Sequence, residues 1–225
     1  MKKLFVVIPA YNEEHSIGSV IKELKQNNYN NIVVVDDGSK DKTFQKAKNE
    51  KVEVLRHIMN RGQGAALKTA IDYALEKGAD IIVTFDADGQ HSVKDIKRIV
   101  EPVKNKKVDI TLGSRFLKKN KDTPFIRKIF LKGGALVIFL MYGIKLTDSH
   151  NGFRAMSKKA AQKIEITSDG MEHASEILEQ VKKKRLKYKE VPVRIIYTDY
   201  SIKGGQSTFN SFKILFKMLV RWLTR

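Results

Sequence analysis

Ile81-Ile82-Val83-Thr84-Phe85-Asp86-Ala87-Asp88-Gly89-Gln90-His91 runs from an apolar, β-prone stretch into a polar one without a break. A short run such as IIVTF, bounded by turn residues, suits a strand buried on both faces, as in a parallel sheet covered by helices. The stretch after it carries two carboxylates one residue apart, with Gly89 to turn the chain. In parallel α/β sheets ligands bind beyond the carboxyl ends of the strands, which is where these residues fall.

Working outward, the pattern repeats. Leu4 to Ile8 runs into Pro9-Ala10-Tyr11-Asn12-Glu13-Glu14, and Ile32 to Val35 runs into Asp36-Asp37-Gly38-Ser39. Val52 to His57 reads as a third strand, Ile81 to Asp86 as a fourth, and Ile110 to Leu112 as a fifth that leads to Gly113-Ser114-Arg115. Between the strands lie apolar stripes at helical spacing: Ile17, Val20, Ile21 and Leu24 in one, Leu67, Ala70, Ile71, Ala74 and Leu75 in another. The order β-α-β-α-β-α-β predicts an α/β fold, a mostly parallel Rossmann-like sheet with helices on both faces. The second half is less regular. It holds an apolar stretch from Gly133 to Ile144, a DSHNGFR loop at 148–154, a predicted helix from Met171 to Lys184, a strand near Tyr188 to Val193 and a basic C-terminal helix.

A chain of 225 residues with 42% hydrophobic content can bury one substantial core. It contains no cysteine, so disulfides and thiolate metal sites are excluded. MKKLFVVIPAYNEE lacks a small-residue cleavage site and does not read as a signal peptide, which places the expected location on the cytoplasmic side. The net charge of +18 is unevenly spread. Residues 1–100 carry 16 Lys+Arg against 14 Asp+Glu, and residues 101–225 carry 27 against 11, so the excess belongs to the second half. A cationic half suits nucleic acid, an anionic membrane or phosphorylated small molecules.

Asp86 and Asp88 supply the hard oxygen ligands that Mg²⁺ or Mn²⁺ takes, with Gln90 as a further oxygen ligand and water and diphosphate oxygens completing the shell. The same residues also suit an ordinary turn with an Asx cap. Asp36-Asp37-Gly38-Ser39 is a turn with Ser39 as a helix N-cap, or a carboxylate at a strand end that accepts hydrogen bonds from a base or ribose. Asn60-Arg61-Gly62-Gln63-Gly64 is a flexible loop, or a loop presenting backbone N–H groups and Arg61 to phosphate.

Taken in order, VVIPAYNEE, VVDDGSKDKT, NRGQGAALKTAIDYAL, FDADGQH, GSR and DSHNGFRAMSKKA resemble family 2 inverting glycosyltransferases of the GT-A fold, from Val6 to about Lys159. Asp-x-Asp-x-Gln-His and the Asp148 to Arg154 loop look most like the dolichyl-phosphate mannose synthase group and its polyprenyl-phosphate hexosyltransferase relatives. The resemblance implies that Pro9, Tyr11, Glu13, Val35 and Asp37 surround the nucleoside, that Asp86, Ala87 and Asp88 hold diphosphate and metal, and that Gln90 completes the metal shell. Arg115 then contacts sugar or phosphate, Arg127 and Lys132 fall near the acceptor lipid phosphate, and Glu176 matches an acidic position facing the donor sugar. Asp88, Arg115 and Glu176 are the implied catalytic residues. One departure concerns the diphosphate clamp of Arg and Lys after the last strand: here Tyr200 to Thr208 carries Thr208 where the Lys is expected, and Lys203 is the candidate substitute.

The implied reaction is an in-line displacement with inversion, from a nucleotide-sugar (GDP-mannose, UDP-glucose or UDP-N-acetylglucosamine) to dolichyl or polyprenyl phosphate. The alternative is transfer to a glycan hydroxyl, for which Asp148 or Glu176 would serve as base. Gly133 to Ile144 is too short to span a bilayer, which takes about 20 apolar residues. The end of the chain, SFKILFKMLVRWLTR, sets Lys213, Lys217, Arg221 and Arg225 opposite an apolar side, the pattern of an interfacial helix on anionic lipid. The expected organisation is a catalytic domain over residues 1–208 and a basic amphipathic helix over 209–225, peripheral on the cytoplasmic face of the membrane. A nucleic-acid partner is not expected, because no reading motif accompanies the charge and the acidic strand ends repel phosphate.

Overall fold

The computed structural model describes residues 2–117, 133–135, 138–148 and 151–196. Arg127, Lys132, Lys203 and the helix expected over 209–225 lie outside the described residues. Strands β1 (Leu4–Ala10), β2 (Ile32–Asp36), β3 (Glu53–Arg56), β4 (Ile81–Thr84) and β5 (Ile110–Ser114) alternate with helices α1 (Ile17–Gln26), α2 (Thr43–Asn49), α3 (Gln63–Glu76) and α4 (Ile96–Lys104). Then come β6 (Arg154–Ser157), α5 (Lys158–Lys163), α6 (His173–Lys183) and β7 (Tyr188–Pro192). They form a seven-stranded sheet in the order β3-β2-β1-β4-β6-β5-β7.

The strands read from the sequence are all present, and the fourth is shorter than expected, ending at Thr84. One strand has no counterpart in the sequence reading. β6 lies antiparallel between β4 and β5, with Thr84 opposite Arg154 and Leu112 also opposite Arg154. Its sequence, Arg-Ala-Met-Ser, is too short and mixed to show a strand period. It forms because two sheet edges, β4 and β5, offer it backbone partners on both sides.

Alternation along β1 divides the core. Phe5 and Val7 point to the side covered by α3, α5 and α6, with Ile82, Leu67, Ile71, Ile177 and Leu178. Val6 and Ile8 point to the side of α1 and α4, with Ile21, Leu24, Val83 and Ile99. The stripe predicted for α1 is buried as a unit: Ile17, Val20, Ile21 and Leu24. Burying such residues at roughly 25 cal/mol per Å² on both faces fixes the sheet, and with it the position of every strand end.

Candidate active site

The carboxyl ends of β1, β2 and β4 meet on one edge of the sheet, and hydrogen bonds tie the loops together. After β1, the backbone N–H groups of Asn12, Glu13 and Glu14 donate to Ser39 Oγ (2.9 Å), Thr43 Oγ1 (2.7 Å) and Asp41 Oδ2 (3.0 Å). Asn12 Oδ1 accepts from Lys40 N–H in return. Ser39 is not the cap of α2, whose N-cap position is Lys42 without a side-chain cap bond, and Asp41 Oδ1 just before it accepts from Thr43 N–H at 2.9 Å. Tyr11 is exposed at the rim, whereas the side chains of Val35 and Ala87 are buried in the core. Pro9 is buried within β1.

Asp37 is the knot of the second strand end. Its carboxylate accepts from Arg61 N–H (3.1 Å), Gly62 N–H (2.7 Å) and the Asn60 amide (3.0 Å), and lies 2.6 Å from His57 Nδ1. Those N–H groups of the 60–64 loop are thus spent inside the protein, and Ala65 N–H donates to Asp169 O. Arg61 pairs with Asp169 at 3.3 Å. The glycines serve close packing: a Cβ on Gly62 would come 2.4 Å from Asp169 O, and one on Gly64 2.0 Å from Ser168 O. The loop packs as a clasp against residues 168–170, and its Arg61 and Gly62 N–H groups are taken by Asp37.

Asp86 and Asp88 stand past the end of β4. Asp86 keeps 29% of its side chain exposed, and His91 Nε2 lies 2.9 Å from its Oδ2. Gln63 Nε2 approaches Oδ1 at 3.4 Å. His91 is held between aromatic rings, stacked on Phe153 at 4.8 Å and edge-on to Phe85 at 5.3 Å. Burial opposes the charge of Asp86, but His91, then His173 and Arg154, outweigh it and hold its carboxyl below the usual carboxylate range. Asp88 goes the other way. Burial first, then the charges of Asp86 and Glu13, push its carboxyl up to about 6. Its Oδ1 accepts from Gln90 N–H at 2.9 Å, and Gln90 O accepts from Ile196 N–H.

Behind this pair lies a polar layer that sequence reading did not assemble. Arg154 is 2% exposed and donates from Nη2 to Ala174 O at 3.1 Å. Burial brings its pKa down to about 10 against the fields of Asp86 and Asp148. His173 is buried, 2.8 Å from Gly170 O through Nδ1, and burial lowers its pKa. Arg115 is anchored at the end of β5: its Nε donates to Asp148 Oδ2 at 2.6 Å, and its backbone N–H to the same oxygen at 3.2 Å. Arg154 and His173 were missed because the antiparallel strand that sets Arg154 beside Thr84 has no sequence signal. His91 was quoted within the Asp-x-Asp-x-Gln-His pattern but given no task.

Glu176 is placed inside the fold, 2% exposed, which excludes a solvated helix position. Its carboxylate accepts from Thr167 N–H (3.1 Å), Ser168 N–H (2.9 Å) and the Thr167 hydroxyl (2.5 Å). It holds the loop that clasps the start of α3. Its expected place facing the donor sugar is to be set beside this hold on Thr167 and Ser168.

Among the described residues no group of three or more His, Asp or Glu side chains is placed to hold a metal. The donor set still fits a hard divalent cation, which commonly takes one or two carboxylates and completes its shell with water and substrate phosphates. Burial and then the charge of Asp86 lift the Asp88 carboxyl to about 6, and a cation bound between the two carboxylates would offset both effects.

The sequence profile described as "Glycosyl transferase family 2" matches residues 5–165. The chain belongs to that family. As a family 2 glycosyltransferase it is 38% identical to the UDP-N-acetylglucosamine–dolichyl-phosphate N-acetylglucosaminyltransferase of Methanococcus voltae, over 97% of this chain and 96% of the relative. It is 35% identical to the dolichol-phosphate mannosyltransferase of Pyrococcus furiosus, over 98% of this chain and 64% of that longer protein. Among solved structures, glucosyl-3-phosphoglycerate synthase from Mycobacterium tuberculosis, crystallised with Mg²⁺ and uridine diphosphate, superposes with a TM-score of 0.74. That match covers 98% of this chain and 79% of the other at 17% identity, and it shows the shared GT-A fold. The glycosyltransferase has no helix among its described residues long and apolar enough to cross a membrane.

Proposed function

We propose that this glycosyltransferase moves a hexose from a nucleotide-sugar to a dolichyl or polyprenyl phosphate, using a divalent cation held by Asp86 and Asp88. The carrying observation is the Asp86–Asp88 pair past the end of β4, where burial and then the charge of Asp86 raise the pKa of Asp88 to about 6 and a counter-cation would be favoured. Mg²⁺ or Mn²⁺ in that position supplies charge to balance the diphosphate as it departs. Gln90 is a third oxygen ligand in this reading. Tyr11 at the rim, with Glu13 and the Asp37 knot, borders the nucleoside. Arg115, fixed by Asp148, presents a cation to sugar or phosphate.

The names of the two relatives support a lipid-phosphate acceptor. A phosphate is already anionic near neutral pH and needs positioning more than a general base. The rival, a hydroxyl acceptor, needs a carboxylate base: Glu176 is hydrogen-bonded to Thr167 and Ser168, and Asp148 holds Arg115 through Oδ2 while its Oδ1 stays open to that reading. Arg127, Lys132 and Lys203, outside the described residues, are the cations assigned to the acceptor phosphate and the diphosphate clamp. Attachment to the cytoplasmic membrane surface through residues 209–225 belongs to the same proposal.

The test is a thermal-shift panel of UDP, GDP and their sugar conjugates with and without Mn²⁺. Stabilisation by one base class that needs the metal supports the reading, since a ligand stabilises in proportion to its excess over its dissociation constant. No shift from any member, or shifts indifferent to Mn²⁺, would overturn it.

A further inference from the structure

Among the described residues six buried polar side-chain atoms lack a hydrogen-bond partner: Asp36 Oδ2, which pairs with Arg56 Nε at 3.0 Å, both ring nitrogens of His91, whose Nε2 lies 2.9 Å from Asp86 Oδ2, and three with no ion pair either, Asp148 Oδ1, Asn151 Nδ2 and Arg154 Nε. Of these last three, Asp148 and Asn151 lie in the segment that precedes β6, and Arg154 is the first residue of β6. Their residues are 3%, 3% and 2% exposed. Native proteins rarely leave such groups unpaired, because a polar group desolvated without a partner is costly.

The segment lies against Asp86. A Cβ on Gly152 would come 3.2 and 3.3 Å from the two Asp86 oxygens. Arg154 feels the fields of both Asp86 and Asp148. Asn151 packs on Gly113, where an added Cβ would lie 3.4 Å from its Cγ. The rest of each side chain is already fixed: Asn151 Oδ1 accepts from Phe153 N–H at 3.0 Å, Asp148 Oδ2 from Arg115, and Arg154 Nη2 donates to Ala174 O. The unspent atoms are therefore rigidly held, two donors and one acceptor.

We propose that Asp148, Asn151 and Arg154 form the sugar-reading floor of the donor site, with Asn151 Nδ2 and Arg154 Nε donating to pyranose hydroxyls and Asp148 Oδ1 accepting from one. This rests on the nucleotide-sugar reading above and adds to it the residues that select the sugar. A polyhydroxylated ring is the ligand class that matches a mixed donor and acceptor set. A site built to pair hydroxyls rejects sugars that lack them, because its own groups are then left unpaired.

The test compares Asn151→Ala, which removes one donor, and Arg154→Lys, which keeps the charge near Asp86 but deletes Nε. Affinities of the full chain for UDP, GDP, UDP-glucose, UDP-N-acetylglucosamine and GDP-mannose are measured by calorimetry with Mn²⁺, and folding is checked by circular dichroism. The expected result is a loss of about 10- to 100-fold for the nucleotide-sugar that the unaltered chain binds, with the matching nucleoside diphosphate held within about twofold. An equal loss for sugar conjugate and diphosphate, or no loss for either, overturns the sugar floor and leaves the donor reading standing. If Arg154→Lys does not fold, Asn151→Ala decides alone. Binding of no nucleotide by the unaltered chain overturns the donor reading and the floor with it.

Discussion

Asp88 is where the chemistry of the site is most exposed to pH. Its carboxyl titrates at about 6, raised by burial and by Asp86 and Glu13. A carboxylate binds a cation only when deprotonated, so protons compete with the metal below that value and not above it. Mn²⁺ affinity of the chain without nucleotide is expected to be flat above pH 7 and to fall about tenfold per unit below pH 6. Paramagnetic resonance of free Mn²⁺ across pH 5–8 measures this. A flat profile through pH 5 would remove Asp88 from the ligand set. On the proposed role of both carboxylates in holding the cation at the leaving diphosphate, Asp86→Asn and Asp88→Asn are each expected to cost about 100-fold or more in kcat/KM. A stable Asp88→Asn variant with activity within threefold would contradict that.

At the scale of elements, the strands were legible because Val-, Ile- and Leu-rich runs give way to polar residues, although β1 continues past Ile8 to Ala10 and β4 stops at Thr84, short of Asp86. The helical stripes of α1 and α3 were legible for the same reason of period. What the sequence hid is non-local. β6 has no period of its own and depends on β4 and β5 for its partners, so the neighbourhood of Arg154 and Asp86 was invisible. The 60–64 clasp was hidden too, since a glycine chosen for close approach to residue 168 reads like a glycine chosen for flexibility. Substitution separates the two. Gly64→Ala, with its Cβ 2.0 Å from Ser168 O, should destabilise the fold by about 1–3 kcal/mol or more. Gly18→Ala in α1, whose nearest neighbour would be Glu50 Oε1 at 3.9 Å, should stabilise by roughly 0.5–1 kcal/mol. A Gly64→Ala urea midpoint that stays level or rises would refute the clasp.

For the whole molecule, the division of charge matches a division of labour. The nearly neutral first half supplies the carboxylates of β1, β2 and β4, and the second half carries the cationic excess. Removing Phe212 to Arg225 is expected to release the chain from anionic vesicles in a sedimentation assay, while leaving Mn²⁺-dependent nucleotide binding in place. Retention on the vesicles would move the membrane contact elsewhere. The central claim is that Asp86 and Asp88, through a divalent cation, let a hexose leave its nucleotide for a lipid phosphate. It is tested most directly by incubating the full chain with nucleotide-sugars and polyprenyl phosphate, with Mn²⁺ or with chelator, and determining the anomeric configuration of any glycolipid formed. The prediction is a lipid-linked hexose of inverted configuration that appears only with the metal and is lost in Asp88→Asn. A product of retained configuration, or one that forms equally well in chelator, would contradict it.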